Sequence, residues 1–349
     1  MMLPAMRLAL ARICVNQPGS GHSEDRSAEY PGGNKAMRSV RSALSYLIWK
    51  LKLNPPLPQA ARCTSFDNFR LFMASPANRE ADMVAFEVGL LGTADTFTVP
   101  GYCAVCDREA AFLVDYQNCY ATAPNGRRLP NWRERLVCPH CHLNSRMRAA
   151  VSFLLSASDL DDTIYLTEAV TPLFQVVASK RKQTIGSEYL RDGTARGTMN
   201  AAGVRHEDVT YLSFPDEAFN VIGTFDVLEH VPNYRQALAE FFRCLRPGGT
   251  LIITVPVSLW SPTTITRATI DVLGNITHLL SPEIHGDPLD QAGALCFYNF
   301  GWDFVGALTE AGFEDAGLSM FWNPRSGYLG GYQYIITSRR DSGKDLRGT

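Results

Sequence analysis

The stretch from Asn220 to Val257 constrains this chain more than any other part of it. A strand-like run, Asn220 to Phe225, meets an acidic loop, Asp226-Val-Leu-Glu-His-Val. A pattern of helical period follows, and Pro247-Gly248-Gly249 then turns the chain into an uninterrupted apolar run, Leu251 to Val257. A continuous apolar run of strand length belongs to a strand buried on both faces, as the strands of parallel sheets are. Strand, loop, helix, turn and strand make one crossover unit. From Asp162 to about Arg340 β-prone and helical stretches keep alternating, which predicts a mostly parallel sheet with helices on both faces. FGWDFVGALTEAGFED reads as an amphipathic helix ended by Gly312, and MFWNPRSGYLGGYQYIITSRR as a closing antiparallel hairpin.

The first 150 residues have another character. Residues 1–36 read as a disordered lead, rich in Gly, Ser, Pro and charge over 16–36. Residues 37–95 read as a helical segment: one helix over 37–53 ended by Pro55-Pro56, then two short helices around Phe66–Met73 and Arg79–Leu91. Residues 96–148 combine short β-prone pieces, turn residues and five of the nine cysteines, four of them in two pairs. Cys103-x-x-Cys106 and Cys138-x-x-Cys141 each place two thiols on a tight turn, the arrangement by which structural zinc obtains sulfur ligands. The 31 intervening residues exceed the commonest spacing, and AFLVDY with PNGRRLPNW supplies the ribbon between the pairs. Buried or redox cysteines are the alternative, and His140 or His142 could replace one sulfur. The other five cysteines read as small buried hydrophobes. The alternating α/β region is placed at 149–340, and residues 341–349 read as a polar tail.

FDVLEHVPNYRQALAEFFRCLRPGGTLIITVP resembles, almost without gaps, the class I S-adenosylmethionine-dependent methyltransferases of the branch with a VLEHVP-like fourth strand end and LRPGG before the fifth strand. The resemblance covers about residues 145–340. It implies a Rossmann-like seven-stranded α/β sheet, mostly parallel with an antiparallel last strand, in which Thr163–Thr167, Thr184–Ser187 and Val204–Val209 are the first three strands. It also implies S-adenosylmethionine as cofactor, over the carboxyl ends of the strands where their order reverses. Glu188, closing the second strand, then accepts from the ribose hydroxyls, since a carboxylate takes two hydrogen bonds at once. Asp208 accepts from the adenine amino group beside the Val209 amide, Phe225 and Asp226 wall the methionine end, and Glu168 faces the ammonium. In place of the family's glycine-rich first turn stands TEAVTPLF, with no glycine between Thr163 and Ser179. Either the cofactor binds with altered contacts, or the domain is a catalytically silent scaffold.

Methyl transfer to a hydroxyl needs alignment and a group that removes a proton. His230, just past the fourth strand, is the first candidate because imidazole titrates near neutrality. His285 lies in a long insertion where such folds build the acceptor pocket, with Trp260, Arg267 and His278. The expected acceptor is a small molecule or a saccharide-like one, with RNA as the alternative. Lys and Arg number 33 against 35 Asp and Glu, a net charge of −2 that provides no general field for a polyanion and argues against nucleic acid. No apolar run approaches the ~20 residues of a membrane span. No small-residue cleavage site follows the short Leu/Ala stretch near the start, and the thiol pairs suit a reducing compartment, so the cytoplasm is the expected location.

Overall fold

A computed structural model describes residues 59–342 apart from Tyr120, Pro124 and Asn125; the expected lead and the helix expected over 37–53 lie outside the described residues. The described chain begins with a strand, β1 (Gln59–Cys63), and continues with α1 (Phe66–Ala74) and α2 (Glu80–Leu90). Both short helices lie where the sequence put them, whereas β1 departs from the reading of 37–95 as helical: the stretch before the first of them joins the main sheet. Next come β2 (Thr96–Cys103), β3 (Arg108–Asp115), the one-turn helix α3 (Trp132–Arg135), β4 (Leu136–Val137) and α4 (Ser145–Ala157). The α/β region contains β5 (Ile164–Leu166), α5 (Pro172–Lys180), β6 (Thr184–Gly186), β7 (Phe219–Phe225), α6 (Tyr234–Cys244), β8 (Leu245–Thr254), α7 (Asp303–Glu310), β9 (Phe313–Asn323) and β10 (Tyr328–Arg340).

The main sheet has the order β1-β9-β10-β8-β7-β5-β6. Pairs β8–β7, β7–β5 and β5–β6 are parallel, while β8–β10, β10–β9 and β9–β1 are antiparallel. The expected third strand over Val204–Val209 is absent as a strand. Only a single bridge, Glu188 to His206, continues the sheet beyond β6. Around that bridge the polar side chains of RHEDV bond locally: Glu207 is buried and its carboxylate receives Arg205 Nε at 2.8 Å and Ser213 N at 2.9 Å. At the other edge β1 pairs with β9, Cys63 opposite Leu318.

Helix starts follow their caps. Asn144 accepts from Met147 N, Asn233 from Gln236 N, and Thr171 from Phe174 N with Pro172 at the first helical position. Each such cap contributes about 1 kcal/mol. The sheet is covered on both faces, as expected. One core holds Leu238, Phe241, Phe304 and Leu308 of α6 and α7; the other holds Leu154, Leu155, Leu173 and Val177 of α4 and α5, together with Phe112 and Trp132 of the cysteine module. Trp302, Tyr328 and Tyr332 are buried, in keeping with a packing role. Among the described residues no helix is long and apolar enough to cross a membrane.

Candidate active site and cysteine centre

The chain passes from β5 outward to β6 and returns to β7 on the other side of β5, so strand order reverses between β5 and β7. Their carboxyl ends flank a crevice of the kind that open α/β sheets use for ligands. Glu168 follows β5 there and is buried. Thr171 donates to its Oε2, and Oε1 is buried without a hydrogen-bond partner. Burial pushes this carboxyl up to about 7, against the opposing pull of Thr171 and Arg146.

Glu188 sits across the turn. Its Oε1 accepts from the backbone amides of Ala169 at 2.7 Å and Val170 at 3.1 Å. The glycine-free turn is therefore held by a side chain instead of by glycine's conformational freedom. Burial raises the Glu188 carboxyl and the two amides oppose that rise. Close approach of backbone occurs on β6 instead: a methyl group on Gly186 would lie 2.5 Å from the Glu168 carbonyl oxygen and 2.5 Å from the Phe174 ring.

Phe225 and Asp226 end β7. Phe225 is buried in the core shared with α4 and α5. Asp226 adopts φ +53°, and its carboxylate lies 3.1 Å from Arg133 and 3.0 Å from Arg146. Burial works against its charge, yet the two guanidinium groups hold its carboxyl well below the usual range. Arg133 lies on α3 and Arg146 on α4, so the elements flanking the second cysteine pair reach the end of β7. Neither arginine was singled out in the sequence; the alternation of charge in NWRERLVCPHCHLNSRMR was the available signal. Asp208 Oδ1 accepts from Thr210 N at 2.8 Å, a local turn, and Val209 packs against the α6 side of the core.

The expected acceptor side is more closely knit. His230 Nδ1 and the Leu295 carbonyl oxygen are 2.9 Å apart, which assigns the donor proton to Nδ1. His285 Nε2 lies 3.1 Å from Glu283 Oε1. The two imidazole rings meet edge to face with centroids 5.1 Å apart. Burial lowers the His230 imidazole, and its bond to Leu295 opposes that. Glu229, between them, is fully buried with neither carboxylate oxygen hydrogen-bonded. Burial raises its carboxyl well above the ordinary value. Cys296 corrects the reading of the unpaired cysteines as packing groups alone, since its Sγ lies 3.9 Å from His230 Nδ1. Arg267 braces the insertion through Asn299, Ser281 and Glu283. His278 is exposed on a short hairpin, and Trp260 is exposed with one edge against Phe69.

In the cysteine module β2 and β3 form a hairpin whose turn carries the first Cys pair, and β4 adds a third strand before the second. Asp107 and His142, each following the second cysteine of its pair, both take a left-handed conformation, φ +55° and +59°. The two turns are thus built alike. Cys103 and Cys141 sulfurs are 3.9 Å apart, Cys106 and Cys138 3.8 Å, and all four lie within 4.8 Å. Tetrahedral thiolates at ~2.3 Å from one ion stand about 3.8 Å apart, so the set fits zinc. Donation from Cys141 lowers the Cys103 thiol to about 5, while burial pushes Cys106 up to about 12. Both His140 and His142 are exposed.

Residues 172–253 match the family model described as a methyltransferase domain. A protein named a probable S-adenosylmethionine-dependent methyltransferase in Mycolicibacterium smegmatis is 31% identical over 83 residues, covering 23% of this chain and 32% of its own length. A demethylmenaquinone methyltransferase of Anoxybacillus flavithermus is 33% identical over 95 residues, 26% of this chain and 38% of that protein. The chain thus spans about a third of the curated relatives it matches. Among solved structures, the 1,6-didemethyltoxoflavin-N1-methyltransferase of Burkholderia thailandensis has a TM-score of 0.33 at 16% identity, covering 56% of this chain and 78% of that one.

Proposed function

We propose that the chain is an S-adenosylmethionine-dependent methyltransferase acting on a small-molecule or saccharide-like acceptor, with the four cysteines holding a structural zinc ion. The observation that carries this reading is the buried, unpartnered Glu168 oxygen at the strand-order reversal, next to the region that matches a methyltransferase domain. When bound, the cofactor would supply a methyl group on a positively charged sulfur. Glu168 receives the ammonium, which satisfies its orphaned oxygen. Glu188, its Oε1 tied to the turn, has Oε2 for the ribose hydroxyls. Asp208 has Oδ2 for the adenine amino group, and the Val209 amide lies beside it. Phe225 and Asp226 close the methionine end, with Asp226 already neutralised by Arg133 and Arg146.

His230 and His285 activate the acceptor. With the cofactor supplying the methyl group, the acceptor hydroxyl's proton would go to His230 Nε2, whose Nδ1 is held by the Leu295 carbonyl. Demethylmenaquinone, named for a relative, is a small-molecule acceptor. Four clustered thiols suit the reducing cytoplasm. Calorimetric titration with S-adenosylmethionine tests the reading: micromolar binding weakened at least tenfold in Glu188→Ala supports it. A folded protein that binds no cofactor overturns it in favour of a scaffold.

A further inference from the structure

The cluster at the acceptor side has the composition of a metal centre. Donor atoms of His230, His285 and Cys296 all lie within 4.8 Å of one another. Glu229 Oε1 stands 3.8 Å from His230 Nε2 and 3.8 Å from His285 Nδ1. One nitrogen of each imidazole is engaged, His230 Nδ1 with the Leu295 carbonyl, 3.9 Å from the Cys296 sulfur, and His285 Nε2 with Glu283. That is how metal-bound histidines are oriented: a carbonyl or carboxylate holds one nitrogen and leaves the other for the ion. An independent observation points the same way. The Glu229 carboxylate is fully buried, with both oxygens lacking a hydrogen bond. A buried carboxylate without partners is costly, and a cation between it and the two imidazoles removes that cost.

The geometry points to a second metal site, in which His230, His285 and Cys296 bind a divalent ion of the zinc class and Glu229 stands beside it. Two imidazoles and a sulfur select zinc or cobalt over magnesium, calcium or manganese, which prefer oxygen. Three protein ligands leave a position open. On the methyltransferase reading, on which this role rests, the acceptor hydroxyl takes that position. The ion lowers the hydroxyl's pKa, the proton passes to a Glu229 oxygen, and the acceptor oxygen is left ready to attack. The ligands also come from two separate segments, 229–230 and 285–296, so the ion ties the insertion to the end of β7.

The test is a Co2+ titration of the metal-free full-length chain, with zinc content measured on protein purified without chelator. The expected result is about two equivalents per chain. Cys103→Ser with Cys138→Ser leaves one, of His/Cys spectral type. His285→Ala, a half-exposed position on the insertion, removes the other and keeps the intense four-thiolate absorption. His230→Ala gives the same loss independently. One equivalent in the wild type, or a content unchanged by both histidine variants, overturns the site. The count does not depend on cofactor binding, so failure of the methyltransferase reading would leave it intact and be recognised separately.

Discussion

At the scale of single residues, the site is built from carboxylates kept in uncomfortable states. Glu168 has its pKa raised from an ordinary 4.5 to about 7 by burial. A raised folded-state value means that folding favours the protonated form. The associated stability is complete below about pH 4.5 and is lost as pH rises through about 7, a difference of about 3 kcal/mol at 1.36 kcal/mol per unit. Glu168→Gln, which carries no charge to lose, is therefore expected to be more stable than the wild type at pH 8 by up to that amount, and similar to it at pH 4.5. Thermal unfolding across this range checks it, and parallel curves for the two proteins would contradict it. The same substitution is expected to weaken cofactor binding at least tenfold, the usual opposition between stability and a functional group. Asp226 is the reverse case. It is charged, and two arginines depend on it. Asp226→Asn leaves the two largely enclosed guanidinium groups with Glu134 as their shared carboxylate and is expected to cost about 1–3 kcal/mol in denaturant unfolding. Replacing Arg133 by Met in the same chain should recover part of that loss in a double-mutant cycle.

At the scale of elements, the strands that carry their own signal were legible. β7, β8 and the β9–β10 hairpin lie where apolar runs and turn residues put them, and β5 and β6 lie where the resemblance implied them. β1 was not legible. Gln-Ala-Ala-Arg-Cys has no strand character, and its pairing with residues 318–321 is decided by a partner more than 250 positions away. Arg62 contributes by bonding Ser319 and Thr337 across the sheet. The expected third strand is reduced to the single bridge between Glu188 and His206, in a segment, RHEDV, that lacks the apolar run of the central strands. In the candidate site, the resemblance pointed to the carboxylates, and the structure brings Glu168 and Glu188 together at the turn after β5 and puts Asp226 at the end of β7. Arg133 and Arg146 were not legible, as no spacing rule connects a one-turn helix to a strand end some 90 residues later. The turn after β5 shows what position alone misses: without glycine, it is held by Glu188 and by the narrow clearance at Gly186. Gly186→Ala must push either the Glu168 backbone or the Phe174 ring, and is expected to destabilise the fold by about 1–3 kcal/mol. It should also weaken cofactor binding, because both glutamates are anchored at that contact. Calorimetry and unfolding on the same preparation read the two effects together.

At the scale of the whole molecule, the cysteine module and the α/β sheet are one construction. The second cysteine pair lies between α3, which carries Arg133, and α4, which carries Arg146, and both arginines close on Asp226 at the crevice. Arg148, on the same helix, is fully buried, with its guanidinium 4.0 Å over the Phe112 ring and bonded to the Ser326 and Gly327 carbonyls of the β9–β10 turn. On the proposed reading, loss of a zinc ion from the cysteines would remove the cross-link between the two turns beside these helices, and the folding free energy of a small metal module is largely the binding energy of its metal. Cys138→Ser is expected to lower the melting temperature by about 5 °C or more. Its more telling consequence is at a distance. Cofactor affinity should fall at least tenfold although neither cysteine pair touches Asp226, and Arg146→Met should give a comparable loss while keeping any zinc of the module. A Cys138→Ser protein with lower stability and unchanged cofactor affinity would show instead that the module only supports the fold, with the Asp226 end of the crevice held by the sheet alone.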